Sequence, residues 1–400
     1  MIRRIQIDNF KSLDGFSLPP AGSAPLANFT CLIGANGSGK TSVLQMFDYL
    51  SHFVSADMRQ WIRNRDWSLL ELRSRYIDAS RPPFHMAYEV ELKLNDLGVV
   101  KWSGNFSMMR RLANEELIEI NGKKILELSK GQLHINKLDD TQVEVDMRAL
   151  RFNGSCLAFL DEGVLPPSLI RFKSAMQNVK SLELLAPGSM RRSSRPSDQM
   201  GWSGEYLAGF FSKLKTELRS SILSKLREFF PFLVNLRTPS KEYGWRSLEA
   251  RETKVPYVTA KHLSDGFLRI LAIISQIEQQ NTPDTVILLD EIENGLHPEL
   301  IERLVKYLLQ TKAQIVVTTH SPLILNYLSN DEAKESMIFL YRNRDGRTRS
   351  CRYFDLPSAS KKLGILGPGE VYVDTSIEQL ATEAEEIEQE SVQETGAAAK

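Results

Sequence analysis

Gly34-Ala35-Asn36-Gly37-Ser38-Gly39-Lys40-Thr41 matches G-x-x-x-x-G-K-[ST] at every fixed position, and the apolar run Phe29 to Ile33 before it reads as the strand that feeds such a loop. The glycines let the backbone curl until its N–H groups face phosphate oxygens, Lys40 reaches the β- and γ-phosphates, and the Thr41 hydroxyl is a ligand for Mg²⁺. The helix that follows, from about Thr41 to Leu50 with Ser42 in its first turn, points the positive end of its dipole at the same anion. Gly34 through Ser42 are therefore the candidate cradle for ATP with Mg²⁺, and Lys40 is also a candidate catalytic cation.

Outward from this loop, the bulk of the chain is ordinary. It has 400 residues, 42% hydrophobic and 25% charged, with 50 basic and 50 acidic side chains, so net charge argues neither for nor against a nucleic-acid partner. Cys31, Cys156 and Cys351 are far apart and outside any C-x-x-C spacing, which indicates neither a zinc site nor a disulfide framework and suits a reduced cytosol. The start, Met1-Ile2-Arg3-Arg4, gives way to alternating residues, and no eighteen apolar residues run together. The expectation is a cytoplasmic protein without signal peptide or membrane span.

Residues 1–50 read as strand, turn, strand, P-loop and helix. From His85 to about Phe159, short alternating stretches broken by Asn95-Asp96, Asn121-Gly122 and Lys130-Gly131 read as antiparallel hairpins. Between Glu205 and Phe230, Leu207, Phe211, Leu214, Leu218, Ile222, Leu226 and Phe229 recur at helical spacing, which predicts one amphipathic helix of roughly 40 Å. The chain then alternates helix (Asp265 to Gln279), buried strand (Val286 to Leu289), helix (Pro298 to Leu309) and buried strand (Ile315 to Thr319), the grammar of parallel strands covered on both faces. A hairpin is expected around Asp345-Gly346, and the Glu-, Gln- and Ala-rich end from about Ser376 reads as a solvated helix fading into disorder.

The strand Val286-Ile287-Leu288-Leu289 ends in Asp290-Glu291. Beside a P-loop, Asp290 is placed to hold Mg²⁺ and Glu291 to polarise the attacking water. Upstream, Leu263-Ser264-Asp265-Gly266-Phe267 opens a helix with Ser264 at the N-cap position, and downstream a strand ends Thr318-Thr319-His320-Ser321-Pro322.

P-loop, Leu263-Ser264-Asp265-Gly266, Leu288-Leu289-Asp290-Glu291 and Thr318-Thr319-His320, in that order, resemble the ABC-type ATPase head, especially the soluble lineage of SMC proteins, RecF and OLD-type ATPases. Ile7-Asp8-Asn9-Phe10-Lys11-Ser12-Leu13, Ser264 to Arg269 and Asp290 to Pro298 are similar to the same stretches of compact bacterial ATPases, many of them in anti-phage defence. The resemblance covers about residues 1–50 and 180–345. It implies an α/β ABC-ATPase head: a parallel-sheet P-loop core, an antiparallel β layer, and a helical subdomain with one long amphipathic helix. The implied division is an N-terminal lobe at 1–175, a helical subdomain at 176–260, a C-terminal ATPase lobe at 261–345, and a hairpin, extension and acidic tail at 346–400.

It further implies a site shared between two copies. Lys40, Thr41, Asp290, Glu291 and the switch histidine His320 of one head face Ser264 and Gly266 of the other, with Asn294 and Gly295 in the loop that crosses between them. The family's signature usually has glycine where Asp265 stands, and its Mg²⁺-sensing glutamine has Gln177 as the candidate. The implied function is ATP hydrolysis in a homodimer or higher homo-oligomer whose closure gates a separately encoded effector, a nuclease or toxin, in anti-phage defence. The alternatives are a RecF-type repair ATPase acting on DNA and, third, a transporter ATPase subunit. Long coiled-coil arms and a nuclease domain in this chain are not expected. Two segments are candidate contacts for DNA or RNA: Arg59, Trp61, Arg63, Arg65, Trp67, Arg73 and Arg75, and the loop with Arg191, Arg192 and Arg195.

Overall fold

A computed structural model describes residues 1–55, 57–76, 84–136, 142–148 and 153–398, with side chains to residue 390. Strands β1 (Ile2–Asp8) and β2 (Phe16–Leu18) open the chain, and β3 (Phe29–Ile33) leads into the P-loop and helix α1 (Lys40–Phe53). After α2 (Met58–Asn64) come β4 (His85–Leu94), β5 (Gly98–Ser107), β6 (Leu112–Ile120), β7 (Lys123–Ser129), β8 (Gln132–Asn136) and β9 (Gln142–Asp146). Together with β1 and β2 they make an eight-stranded sheet of order β2-β1-β4-β5-β6-β7-β8-β9, antiparallel throughout. The alternation seen in the sequence is its cause: along β4, Met86, Tyr88, Val90, Leu92 and Leu94 are buried while the residues between them are not.

The second half begins with α3 (Pro167–Gln177), β10 (Val179–Ser181), and helices α4 (Pro187–Met190), α5 (Leu207–Lys213) and α6 (Thr216–Phe229). A small antiparallel sheet, β11 (Leu233–Arg237), β12 (Glu249–Glu252) and β13 (Val258–Thr259), precedes α7 (Asp265–Gln279), β14 (Val286–Leu289), α8 (Pro298–Leu309) and β15 (Gln314–Thr318). The chain then pairs β16 (Met337–Arg342) with β17 (Thr348–Arg352), the hairpin expected around Asp345-Gly346. Strands from both ends assemble the central sheet, order β10-β14-β15-β3-β16-β17, parallel except for β17.

This sheet separates two cores. Side chains alternate across it: Cys31, Ile33, Ile287, Leu289, Ile315 and Val317 pack with α7 and α8. Leu32, Leu288, Val316 and Leu340 pack with α1 and the antiparallel sheet. Each such buried aliphatic contributes about 1.5–3 kcal/mol, which is why β3, β14 and β15 are buried at every position.

The single long helix expected between Glu205 and Phe230 is two helices. Leu214 and Lys215 are extended (ψ 142° and 152°), and Arg219 donates to the freed carbonyls of Ser212 and Leu214. The apolar period continues through the break because both helices pack into the same core. The acidic end is helical over Ile377–Ala398, and it is not fully solvated: Leu380 and Ala384 are buried, and Glu388 accepts from Tyr341 Oη at 3.0 Å.

Within the antiparallel layer, the carboxylate of Glu116 is buried and accepts from Trp102 Nε1 (2.8 Å), the Ser155 hydroxyl and the Cys156 N–H (2.8 Å). Glu116→Ala leaves three donors unsatisfied in the core, so a loss of about 3–5 kcal/mol is expected by urea denaturation. A change below about 1 kcal/mol would show that the network does not hold this layer.

Candidate nucleotide site

The site forms where β3, β14 and β15 end side by side. Register puts Leu289 beside Val317 and Thr318 beside Leu32, so the loops that follow all emerge at one edge. Asp290 there receives hydrogen bonds from Thr41 Oγ1 (3.0 Å) and from Thr318 Oγ1. The Thr318 hydroxyl oxygen in turn accepts from the Glu291 N–H at 2.8 Å, pinning a turn in which Glu291 has φ 45°. A left-handed glutamate costs about 1–3 kcal/mol and is kept where surrounding structure enforces it.

The loop itself is shaped by exclusion. At Gly34 (φ 143°) a Cβ would stand 2.1 Å from the Leu340 carbonyl, and at Gly39 (φ 105°) 2.5 Å from Thr348 Oγ1. Thr348 Oγ1 donates to the Ser38 carbonyl and lies 2.9 Å from Ser12 Oγ, so the Asn9-Phe10-Lys11-Ser12 stretch braces the loop from outside. Phe10 packs on Tyr49 of α1 (5.5 Å between rings), and Lys11 Nζ donates to Gln45 Oε1 at 2.6 Å. Lys40 Nζ donates to two loop carbonyls, those of Gly34 and Ala35, both at 2.9 Å. Burial pulls its pKa down to about 8, against the pull of Asp290, Glu291 and Glu293.

These features fit a bound triphosphate with its cation. The cradle has no room for side chains at two glycines, Ser38 Oγ is buried without a partner among the described residues, and a buried ammonium is held by weak acceptors that phosphate oxygens can replace. Thr41 and Asp290 supply the hard oxygens that Mg²⁺ prefers. Arg342, which sequence reading passed over, brings Nη2 within 3.9 Å of a Cβ position at Gly37.

His320 is exposed at the end of β15, and its backbone N–H donates to Glu293 Oε1 at 2.8 Å. Glu293 is a second residue the sequence reading did not single out, although it sits two positions after Glu291 in the quoted motif. Ser264 and Gly266 start α7. Ser264 Oγ accepts from the Phe267 N–H at 3.2 Å, and Gly266 lies against the Gly295 carbonyl, a Cβ there being 3.2 Å away. Between them, Asp265 is paired with Arg191 at 2.5 Å, and Arg191 also donates to the Leu263 carbonyl. An arginine expected to meet nucleic acid thus neutralises the aspartate that stands in place of glycine.

Two further expectations change. Gln177 ends α3 ahead of β10, whose first residue pairs with the first of β14. At about 3.3 Å per residue, that is the opposite end of the strand from Asp290. The residue that follows β10 at the site edge is Glu183. The Arg-Trp segment is not an open groove either: Trp61 is buried and the Arg65 side chain is 2% exposed, paired with Asp48 (2.8 Å) and Glu183 (3.0 Å). Arg59 and Arg63 are exposed. Among the described residues no helix is long and apolar enough to cross a membrane.

With burial holding Lys40 at a pKa of about 8, ATP affinity of the free protein is expected to fall as pH rises through that value, approaching tenfold per unit. Because the folded value lies below the unfolded 10.5, the unfolded chain holds more protons between them, and apo stability from this group rises across that window. Calorimetric titrations from pH 7 to 9.5, with Lys11→Met as a control for the second lysine lowered to about 8, check this; a flat affinity excludes the Lys40 ammonium from phosphate binding.

Family models match at both ends of the chain: an AAA ATPase domain over residues 1–144, and an AAA domain described as putative AbiEii toxin, type IV toxin–antitoxin system, over 215–326. The DNA replication and repair protein RecF of Shewanella oneidensis is 23% identical over 363 residues, spanning 80% of this chain and 92% of the relative. That of Haemophilus ducreyi is 25% identical over 383 residues, 84% and 97%. The fold matches an Smc head solved with the C-terminal winged-helix domain of ScpA (TM-score 0.54, 14% identity, 87% of this chain and 96% of that one). It also matches the Pyrococcus furiosus Smc head with an extended coiled coil (0.53, 13%, 91% and 98%). With the P-loop and Asp290 joined as described, the chain has an SMC-head-like α/β fold and is similar to the SMC/RecF-like ABC-type ATPases.

Proposed function

We propose that the chain binds Mg²⁺–ATP between two copies of itself, hydrolyses it, and uses the resulting closure and release of the heads to gate a separate effector protein in cytosolic anti-phage defence. The observation that carries the ATPase part is the Thr41–Asp290 contact at 3.0 Å beside a buried Lys40. Gly34 to Thr41 and Ser42 hold the phosphates in this reading. Thr41 and Asp290 hold Mg²⁺, which supplies charge neutralisation at the β- and γ-phosphates.

Glu291 is assigned to the attacking water. Its backbone is fixed by Thr318, and its Oε2 lies 3.4 Å from Asn294 Nδ2, which orients the carboxylate without neutralising it. His320 is assigned to the γ-phosphate side, its backbone set by Glu293. Ser264, Gly266 and the N-terminal end of the 15-residue α7 have the anion-binding capacity of a helix start, which supports their use by the second copy. Closure of this kind stores the interaction energy of a polyanion held by two cationic surfaces, and cleavage removes it.

The gating of an effector draws on the toxin–antitoxin description of one matching model and on the Smc heads solved with ScpA. A second reading, action on DNA directly, is favoured by the RecF relatives, which extend over four fifths of the chain. The exposed Arg59 and Arg63 separate the two. DNA-stimulated turnover that is lost in Arg59→Glu/Arg63→Glu supports the repair reading, whereas indifference to DNA supports the effector.

Glu291→Gln is expected to bind ATP within about threefold of wild type, to lose turnover by about 10²–10³-fold, and to accumulate closed dimers under Mg²⁺–ATP in light scattering. Ser264→Arg is expected to keep ATP binding yet neither dimerise nor hydrolyse. Wild-type turnover in Ser264→Arg would refute the shared site, and wild-type turnover in Glu291→Gln would remove that residue from catalysis.

A further inference from the structure

Beneath the Mg²⁺ side of the site lies a buried ionic cluster that the proposed mechanism leaves unused. Arg65, Asp48 and Glu183 have side chains 2%, 3% and 3% exposed. The guanidinium of Arg65 lies 4.1 Å from the ring centre of Trp61 on one side and 4.0 Å from that of Trp202 on the other. Asp48 also accepts from Trp61 Nε1 at 2.6 Å. Glu183 accepts from Gln45 Nε2 as well as from Arg65.

Two features of position make the cluster more than a core ornament. Ser181 of β10 is in register with Leu288 of β14, so Glu183, two residues further, stands level with Asp290. Gln45 follows Thr41 by one turn of α1, and Thr41 is hydrogen-bonded to Asp290. Glu183 is therefore tied to the cation-binding pair through a neighbouring strand end and through one turn of helix. The other end of the cluster crosses the molecule. Leu182, Leu185, Met190, Met200 and Leu207 all pack in the core that contains α7 and its Ser264 end. Trp202, from the same stretch of chain, packs in the opposite core, where it meets Arg65.

A purely stabilising role explains this poorly. Burying an ion cluster is commonly no better than packing apolar side chains of the same size, and here Arg65 Nε and Nη1 have no hydrogen-bond acceptor among the described residues. What the arrangement does provide is a flat cation stacked between two tryptophans of one core, one of which, Trp202, comes from a segment whose neighbours Met200 and Leu207 pack in the other, while its charge is fixed by a residue level with Asp290. Arginine suits this and lysine does not, because only the planar guanidinium stacks on both faces while donating in its own plane.

We propose that Arg65 is a positioning residue that couples the Mg²⁺ side of the nucleotide site, through Glu183 and Gln45, to the Ser264-bearing core, through Trp202. It rests on the nucleotide reading above. Movement of the Thr41–Asp290 pair on Mg²⁺–ATP entry shifts Glu183, Arg65 follows, and Trp202 carries the shift to the segment that positions α7. The Trp61–Arg65 part of the arginine–tryptophan motif is thereby an internal coupling device.

The test uses the full chain, with ATP affinity, steady-state turnover, melting temperature and tryptophan emission measured with and without Mg²⁺. Wild type is expected to change its emission when Mg²⁺ is added to the ATP-bound protein, and Glu183→Gln to lose that change. Arg65→Lys is expected to bind Mg²⁺–ATP within about threefold of wild type while kcat falls about tenfold or more. Trp202→Ala should match it, and Trp202→Phe should restore most of the turnover.

The proposal is overturned if Arg65→Lys lowers affinity, turnover and melting temperature together while Trp202→Phe is no better than Trp202→Ala. It is equally overturned if Glu183→Gln keeps the wild-type emission change and turnover. A wild-type chain that does not bind Mg²⁺–ATP refutes the nucleotide reading itself, whereas wild-type binding and turnover with no emission change refute the coupling alone.

Discussion

Thr41 and Asp290 are 249 residues apart in the chain and 3.0 Å apart in space. Everything else in the site depends on that contact being made in the right place. It is made by three buried strands, β3, β15 and β14, running parallel and in register, so that a glycine-rich loop and an acidic turn leave the sheet at the same level. Parallel strands buried on both faces have little freedom to slip, because a one-residue shift would exchange the side chains facing the two cores. Chemistry at one edge is thus set by aliphatic packing in the middle.

The same sheet also sets the electrostatics. Lys40 is charged in a place where water is scarce, and its neighbours are backbone carbonyls and carboxylates one layer away. A cation so placed is poorly solvated before a ligand arrives, which makes the exchange for phosphate oxygens favourable without any rearrangement of the backbone. Asp265 shows the reverse case: Arg191 offsets a negative charge where glycine would have added none, pairing with Asp265 and with the Leu263 carbonyl at the start of α7.

Much of this was legible in the sequence, for local reasons. The bounds of α7, β14 and α8 follow from Ser264 at one helix start, Pro298 at another, and a four-residue apolar run that can only be a buried strand. The β layer announced itself by strict alternation. What stayed hidden depends on partners far along the chain. The break at Leu214 and Lys215 is invisible to periodicity because the apolar stripe continues across it. Arg65 reads as a surface cation unless Asp48 and Glu183 are known to enclose it. Gln177 was the wrong residue because only pairing reveals which end of β10 lies near Asp290.

The outer brace of the P-loop has a consequence for biosynthesis. Ser38 is held by Thr348, 310 residues later, and the loop's strand has β15 and β16 as its sheet neighbours. At about 5–20 residues per second, a ribosome needs roughly 15–60 s between making the loop and making its support. During that interval the nascent chain has the nucleotide motif without the scaffold that shapes it. The cradle takes its shape only once Thr348 has been made and folded against it, so the loop depends on residues synthesised long after the motif itself.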